Sequence, residues 1–262
     1  MKIATWNINS VRLRLEHITT WLQTNQIDIL CLQETKVIDA KFPQSKFGEI
    51  VYHSYFAGQA NVKYAVAILS KTELTDISMG FSPILGTSEN YLNFDQEKRL
   101  ITGYCNDIKI ICVYIPSGGR VDSETYFYKL AWLKTLAEYI KVSLAKNDHL
   151  WLCGDFNIAP ENQDVYEKKT LNSIGVSPRE YQALKDVMAL GLADPLRKFT
   201  TDSGYYSWWN HRAGSFENNR GWRLDHHYLT LPLYHQVKNC WIDTTPRQLS
   251  QSSDHAPVIV EI

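Results

Sequence analysis

Short apolar runs rich in branched residues recur along the chain. Between them lie segments whose apolar positions repeat every three or four residues. Runs of that length read as buried strands, and the longer period reads as helix. The pattern predicts strands over 2–6, 27–33, 50–56, 64–70, 99–104, 110–115, 149–154, 222–230, 235–242 and 256–262. It predicts a helix over 11–24, capped by Ser10, with Val11, Leu15, Ile18 and Leu22 on one face. A long helix over 123–145 carries an apolar stripe of Leu130, Leu133, Ala137, Ile140 and Leu144. Ser177-Pro178-Arg179-Glu180 has the form of a capping box with proline at the first helical position. Its helix turns Tyr181, Leu184 and Met188 inward and ends at Gly191. The order implies two similar halves, each a sheet with helices outside. Packing the sheets face to face would bring strand ends from both halves to one edge.

Polar groups stand at those ends. Asn7 follows the first run, Glu34 the second, Asp155 and Asn157 the run ending Cys153-Gly154, and Asp254-His255 precede the last. A carboxylate at the mouth of a buried strand is costly unless paired, solvated or bound to a cation. Glu34, Asn7 and Asp254 offer the oxygens magnesium prefers; Glu34 also reads as a solvated loop-start acid. Asp155 can orient and deprotonate a water, with Asn157 as its support. The same pair also reads as an Asx-turn. His255 can stabilise charge on a phosphate oxygen if a partner holds its other ring nitrogen, and Asp225 is the candidate. A surface histidine in a turn is the plainer alternative. Tyr114, ending its strand, can reach a phosphate oxygen or a leaving group, or simply be half-buried. His226 and His227 read as structural.

The segment 205–223 interleaves aromatic and basic residues. It suits a surface that grips a nucleic-acid backbone and stacks on bases. Trp209 is expected to be buried. Arg12, Arg14, Lys36 and Arg120 follow other strand ends and can touch phosphates.

The 262 residues fit one large α/β domain or two small ones, and since no Pro/Gly/Ser linker breaks them a single domain over 1–262 is expected. With 44% hydrophobic and 21% charged residues the composition is that of an ordinary soluble protein. No apolar stretch approaches a membrane span, and the N-terminus runs straight into a strand, so a cytoplasmic location is expected. The five cysteines lack any Cys-x-x-Cys spacing and read as small buried hydrophobes. A formal charge of −1 shows no basic excess; it permits DNA binding without arguing for it.

Seven pieces, in order, resemble the exonuclease III family of abasic-site endonucleases. They are Trp6-Asn7-Ile8-Asn9, Leu32-Gln33-Glu34-Thr35-Lys36, Tyr114-Ile115-Pro116, Gly154-Asp155-Phe156-Asn157-Ile158-Ala159, Trp208-Trp209, Gly221-Trp222-Arg223-Leu224-Asp225 and Ser253-Asp254-His255. The resemblance implies a four-layered α/β sandwich and a Mg²⁺-dependent phosphodiesterase acting on double-stranded DNA, with Mn²⁺ as a substitute metal. It implies that Glu34, Asn7 and Asp254 hold the metal, that Asp155 activates water beside Asn157, and that His255 with Asp225 stabilises the phosphorus centre. Tyr114 would meet the phosphate or leaving group. Trp208, Trp222 and Leu224 would line a pocket for a base-less sugar. The implied activities are incision 5′ to abasic sites, removal of 3′ blocking groups and 3′→5′ exonuclease action; a monomer is the default expectation. Ser10, Ala65 and Ser117 depart from the family pattern without removing a proposed catalytic group. The wider superfamily also holds phosphoinositide phosphatases with the same core, and these are the alternative reading.

Overall fold

The computed structural model describes residues 1–58, 64–167 and 173–262. The first sheet holds β1 (Lys2–Asn7), β2 (Ile29–Gln33), β3 (His53–Ala57), β4 (Val66–Ser70), β13 (Asn239–Ile242) and β14 (Val258–Glu261). Its order is β13-β14-β1-β2-β4-β3. The second holds β5 (Thr75–Met79), β6 (Leu100–Cys105), β7 (Ile108–Tyr114), β8 (Leu150–Asp155), β9 (Leu192–Ala193) and β12 (Asp225–Thr230), ordered β5-β6-β7-β8-β12-β9. A small ribbon pairs β10 (Trp208–Trp209) with β11 (Gly221–Trp222). The helices are α1 (Leu15–Asn25), α2 (Gln44–Gly48), α3 (Ser82–Leu85), α4 (Glu89–Asp95), α5 (Glu124–Leu144), α6 (Pro178–Met188) and α7 (Leu231–Gln236).

Each sheet has a parallel pair at its heart, β1 with β2 and β7 with β8; the other pairings are antiparallel. Side chains alternate across a strand, so β2 sends Ile29 and Cys31 between the sheets and Leu30 and Leu32 outward. Between the sheets they meet Ile110, Cys112, Trp151 and Cys153. Outside, Leu30 and Leu32 join Ile18 and Leu22 of α1, while Ile111 and Leu152 join Trp132, Leu136 and Leu184 of α5 and α6. Both faces of each central strand are therefore covered. That is why these strands read as continuous apolar runs. The layers are helix, sheet, sheet, helix: a four-layered α/β sandwich.

Four local expectations need correction. Helix α1 begins at Leu15, and Ser10 does not cap it. Ser10 instead adopts φ 95° and gives its N–H to the Glu34 carbonyl, so it serves the Glu34 loop. The buried face of α5 is Tyr126, Lys129, Trp132, Leu133, Leu136, Tyr139 and Ile140; Leu130, Ala137 and Leu144 lie at its margin. Leu133 and Ile140 of the expected stripe lie on this face, but the stripe is offset from its centre, which aromatic rings and a lysine fill. The run 222–230 is broken after Trp222. Arg223 turns inward there to meet Asp164 and Asp194 at 2.7 and 2.8 Å. Of 235–242, only Asn239–Ile242 is strand, because Pro232 opens the short helix α7 first. The capping box at Ser177 and Glu180 is present.

Candidate active site

Strand registers assemble the site. Asn7 stands opposite Gln33 across β1 and β2, so Glu34 is the first residue past that edge. Tyr114 stands opposite Asp155 across β7 and β8, and Asp225 stands opposite Asp155 from the other side. The stretch before β14 returns to the same edge, where His255 bridges to Trp208. Carboxylates from both sheets thus converge. Asn7 joins them directly: its Nδ2 donates to Glu34 Oε1 at 3.0 Å and to Asp155 Oδ2 at 2.9 Å.

Each group is held from several sides. Glu34 accepts from the Tyr114 hydroxyl at 2.8 Å and from Lys36 Nζ at 2.6 Å. Burial disfavours its charge, yet the bonds from Asn7 and Lys36 outweigh burial and hold it below the usual carboxylate range. Its φ of 51° is uncommon for glutamate and costs roughly 1 kcal/mol or more. Asp155 is 1% exposed. Its Oδ1 accepts the Asn157 N–H at 2.9 Å, and its Oδ2 lies 3.9 Å from His255 Nε2. Burial raises Asp155 to about 7, against the pull of the neighbouring imidazole. Burial also works against a charged His255, but Asp225 and Asp155 overcome it and raise the ring to about 10. His255 Nδ1 meets Asp225 Oδ2 at 2.7 Å. Asp254 accepts from Asn9 Nδ2 and Trp208 Nε1, each at 3.0 Å. Despite burial, the His255 charge and these bonds lower it to about 2. Tyr114 is pushed well above its ordinary value by burial and the charges of Glu34 and Asp155, so it stays a donor.

A cleft of about 380 Å³ opens over these groups. Glu34, Tyr114, Asp155, Asn157, Asp254 and His255 form its polar floor; Trp208, Trp222 and Leu224 form an apolar wall. The two indoles meet edge to face, 6.4 Å apart at 83°. Trp209 is buried, as expected, against Tyr206 and Ala256.

Not every expected residue reaches the cleft. Among the described residues, Arg12, Lys36 and Arg120 do not line it. Arg12 and Arg120 are exposed, and Lys36 is spent on Glu34 and on Asn9 Oδ1. Arg14 is buried against the carbonyls of Asn9, Gln251 and Ser252, so it does not offer itself to a phosphate. Asn7 meets the carboxylates through its N–H₂, while its amide oxygen accepts the Asn9 N–H at 3.1 Å. Sequence reasoning passed over two supports. Asn9 links Lys36 to Asp254, and Ser207 donates to Asp225 Oδ2 at 2.7 Å. Asn9, two residues past Asn7 in the same motif, carried a signal; Ser207 carried none.

The set Asp155, Asp225 and His255 has ligand atoms within 4.8 Å of one another. Its Nδ1–carboxylate bond and its raised imidazole make it a proton-sharing group rather than a cation cage. Glu34 is different. It keeps its charge, faces the cleft, and pairs with the Lys36 ammonium. Its hard oxygens, with those of Asp254, suit a small divalent ion.

A two-sheet sandwich that gathers carboxylates and an imidazolium at one shared strand edge has the chemistry to hydrolyse phosphate esters. Comparison with known proteins agrees. The model of the Endonuclease/Exonuclease/phosphatase family matches residues 4–255. The chain is 32% identical over 263 residues to an exodeoxyribonuclease of Bacillus subtilis (strain 168), covering 98% of each. An AP endonuclease from Archaeoglobus fulgidus shares 37% identity at a TM-score of 0.91, with 100% of this chain and 99% of that one covered. The 3′ phosphatase NExo from Neisseria, bound to a product DNA hairpin, shares 32% at a TM-score of 0.94 with the same coverage. The chain belongs to the Endonuclease/Exonuclease/phosphatase family.

Proposed function

We propose that this chain is a Mg²⁺-dependent DNA-repair phosphodiesterase. It cuts the backbone of double-stranded DNA 5′ to abasic sites, leaving a 3′-hydroxyl and a 5′-deoxyribose phosphate. It also clears blocked 3′ ends, as the 3′ phosphatase relative does, and trims 3′ ends as an exonuclease. The observation that carries this reading is one cleft with a phosphate-competent floor and an indole wall. An abasic deoxyribose flips out cheaply and presents no base to read, so an apolar wall suits it. A phosphoinositide, with its polar ring, finds no complement in that wall.

The positions support these roles. Asp155, near neutrality and beside His255, takes the proton of the attacking water. Charged His255, oriented by Asp225, donates to the phosphate oxygen on which charge builds. Asn157 holds Asp155, and Tyr114 donates toward the phosphate or leaving group. Glu34 and Asp254 hold the metal, with Asn7 orienting the carboxylates. When bound, Mg²⁺ supplies Lewis-acid polarisation and charge neutralisation, and Mn²⁺ can replace it. Arg12 and Arg120, both exposed, supply backbone contacts beyond the cleft, while Lys36 is held on Glu34 and Asn9.

The protein acts as a monomer. Its five cysteines are free and buried, which suits the reducing cytoplasm. No helix of the described residues is long and apolar enough to cross a membrane. The test is incision of an abasic duplex with and without chelator, beside a 3′-recessed duplex and an inositol polyphosphate. Chelator-sensitive incision at the abasic site is expected. Turnover of the inositol phosphate alone overturns the reading.

A further inference from the structure

The capping-box glutamate has a second role. Glu180 Oε2 takes the Ser177 N–H at 3.1 Å, the Ser177 hydroxyl at 2.8 Å and the Gly175 N–H at 2.8 Å. Its other oxygen takes Lys129 Nζ of α5 at 2.6 Å, and both side chains are fully buried. Lys129 Nζ also donates to the Asn157 carbonyl at 2.8 Å and the Ser117 carbonyl at 3.4 Å. An ammonium has three N–H bonds, and here each has an acceptor.

Those partners lie on three separate loops, and each loop lines the cleft. Ser117 follows β7, Asn157 follows β8, and Ile174-Gly175 precede α6. The fit around the lysine stem is close. A Cβ on Gly118 would come within 2.9 Å of Lys129 Cδ and 2.8 Å of Ile174 Cδ1. From Asn157 the path to the reacting group is one further bond, its N–H on Asp155 Oδ1.

We propose that Lys129, with Glu180, is a positioning pair that fixes Asp155 and the cleft floor through the Asn157 carbonyl. Apolar residues of similar volume commonly replace a buried ion pair without loss of stability, whereas removing one partner is strongly destabilising. What an apolar pair cannot replace is the tether to the two loop carbonyls. Displacing a catalytic loop by about 1 Å can cost on the order of 100-fold in rate.

The inference rests on the proposed phosphodiesterase reading, and its test separates the two. Steady-state incision of an abasic duplex and thermal unfolding are measured for wild type, Lys129→Gln, the pair Lys129→Gln with Glu180→Gln, and the pair Lys129→Met with Glu180→Met. The amide pair keeps an acceptor for Gly175 and Ser177 and directs a donor, one bond shorter in reach, toward Asn157. It is expected to lose less kcat than the apolar pair, staying within about ten-fold of wild type, since neutral hydrogen bonds replace charged ones at modest cost. The apolar pair leaves the Asn157 and Ser117 carbonyls and the Gly175 and Ser177 N–H groups without these partners, so its Tm is expected to fall; well below that Tm, kcat is expected to fall on the order of 10- to 100-fold with KM little changed. If kcat simply tracks Tm across whichever variants fold, the pair holds only the fold and the inference is overturned. A wild-type chain that leaves the abasic duplex intact overturns the reading, and the inference with it.

Discussion

Asp155 shows how one side chain can be both a turn former and a candidate base. Its Oδ1 closes the Asx-turn by accepting the Asn157 N–H; its Oδ2 takes the Asn7 amide and faces His255. The two readings of Asp155-x-Asn157 are therefore not rivals, because the turn aims the second oxygen. Asp155→Asn removes the base with little change of shape. Its kcat should fall about 10²- to 10⁴-fold, with affinity for uncut abasic duplex nearly unchanged. Wild-type cutting by this variant, in single-turnover assays, would remove Asp155 from the role. Glu34→Ala should leave Tyr114 and Asn7 without their shared acceptor and raise the Mg²⁺ concentration for half-maximal rate about 10-fold or more. An unchanged metal titration would refute its ligand role. Groups at strand mouths were legible because a buried strand ending in a carboxylate is an energetic oddity. Lys129 and Ser207 were not, since a lysine within a helix and a serine in a loop look ordinary until their partners are placed.

At the scale of elements, the central strands were legible and the segments around the site were not. Strands β1, β2, β7 and β8 are apolar on both faces, so their pattern survives any local detail. Ser10 and Val11 look like a helix start, yet the Glu34 loop claims Ser10 first and α1 begins at Leu15. The same demand shapes the end of β8. Gly154 has φ 152°, and a Cβ there would lie 1.9 Å from the Val113 carbonyl oxygen on β7. Parallel pairing of β7 with β8 is what brings Tyr114 level with Asp155. Gly154→Ala should therefore part the two strands. We expect a loss of about 2–4 kcal/mol, a Tm lower by roughly 5–15 °C, and a fall in kcat larger than that of a surface mutant of equal stability. A thermal melt superimposable on wild type would show that β8 can shift without cost.

The two sheets are clamped by a neutral imidazole, and this sets the molecule's response to acid. His227 on β12 accepts from Trp151 Nε1 at 2.8 Å, so its other nitrogen carries the proton and meets the Val258 carbonyl of the opposite sheet at 3.0 Å. Burial lowers His227 to about 4 and holds its neighbour His226 well below the ordinary histidine value. Unfolded histidine binds its proton near 6.5. Between about 6.5 and 4 the unfolded chain is therefore protonated at both positions while the fold is not. Stability is fully present above 6.5 and falls as pH drops through that window, at up to about 1.4 kcal/mol per pH unit for each histidine. Two site groups have the opposite sign. Asp155, raised to about 7, takes up a proton in the fold before it does when unfolded, and so offsets one histidine over the same range. His255, raised to about 10, stabilises the fold as pH falls from 10 toward 6.5 and adds no further change below that. Comparing wild type with His227→Gln cancels both. The variant should be less stable at pH 7.5, where it loses the clamp, and the gap should narrow by about 2–3 kcal/mol on going to pH 4.5. Urea unfolding across that range measures it. Parallel stability curves would mean that His227 is already charged in the fold, and the two sheets would then owe their acid sensitivity to some other group.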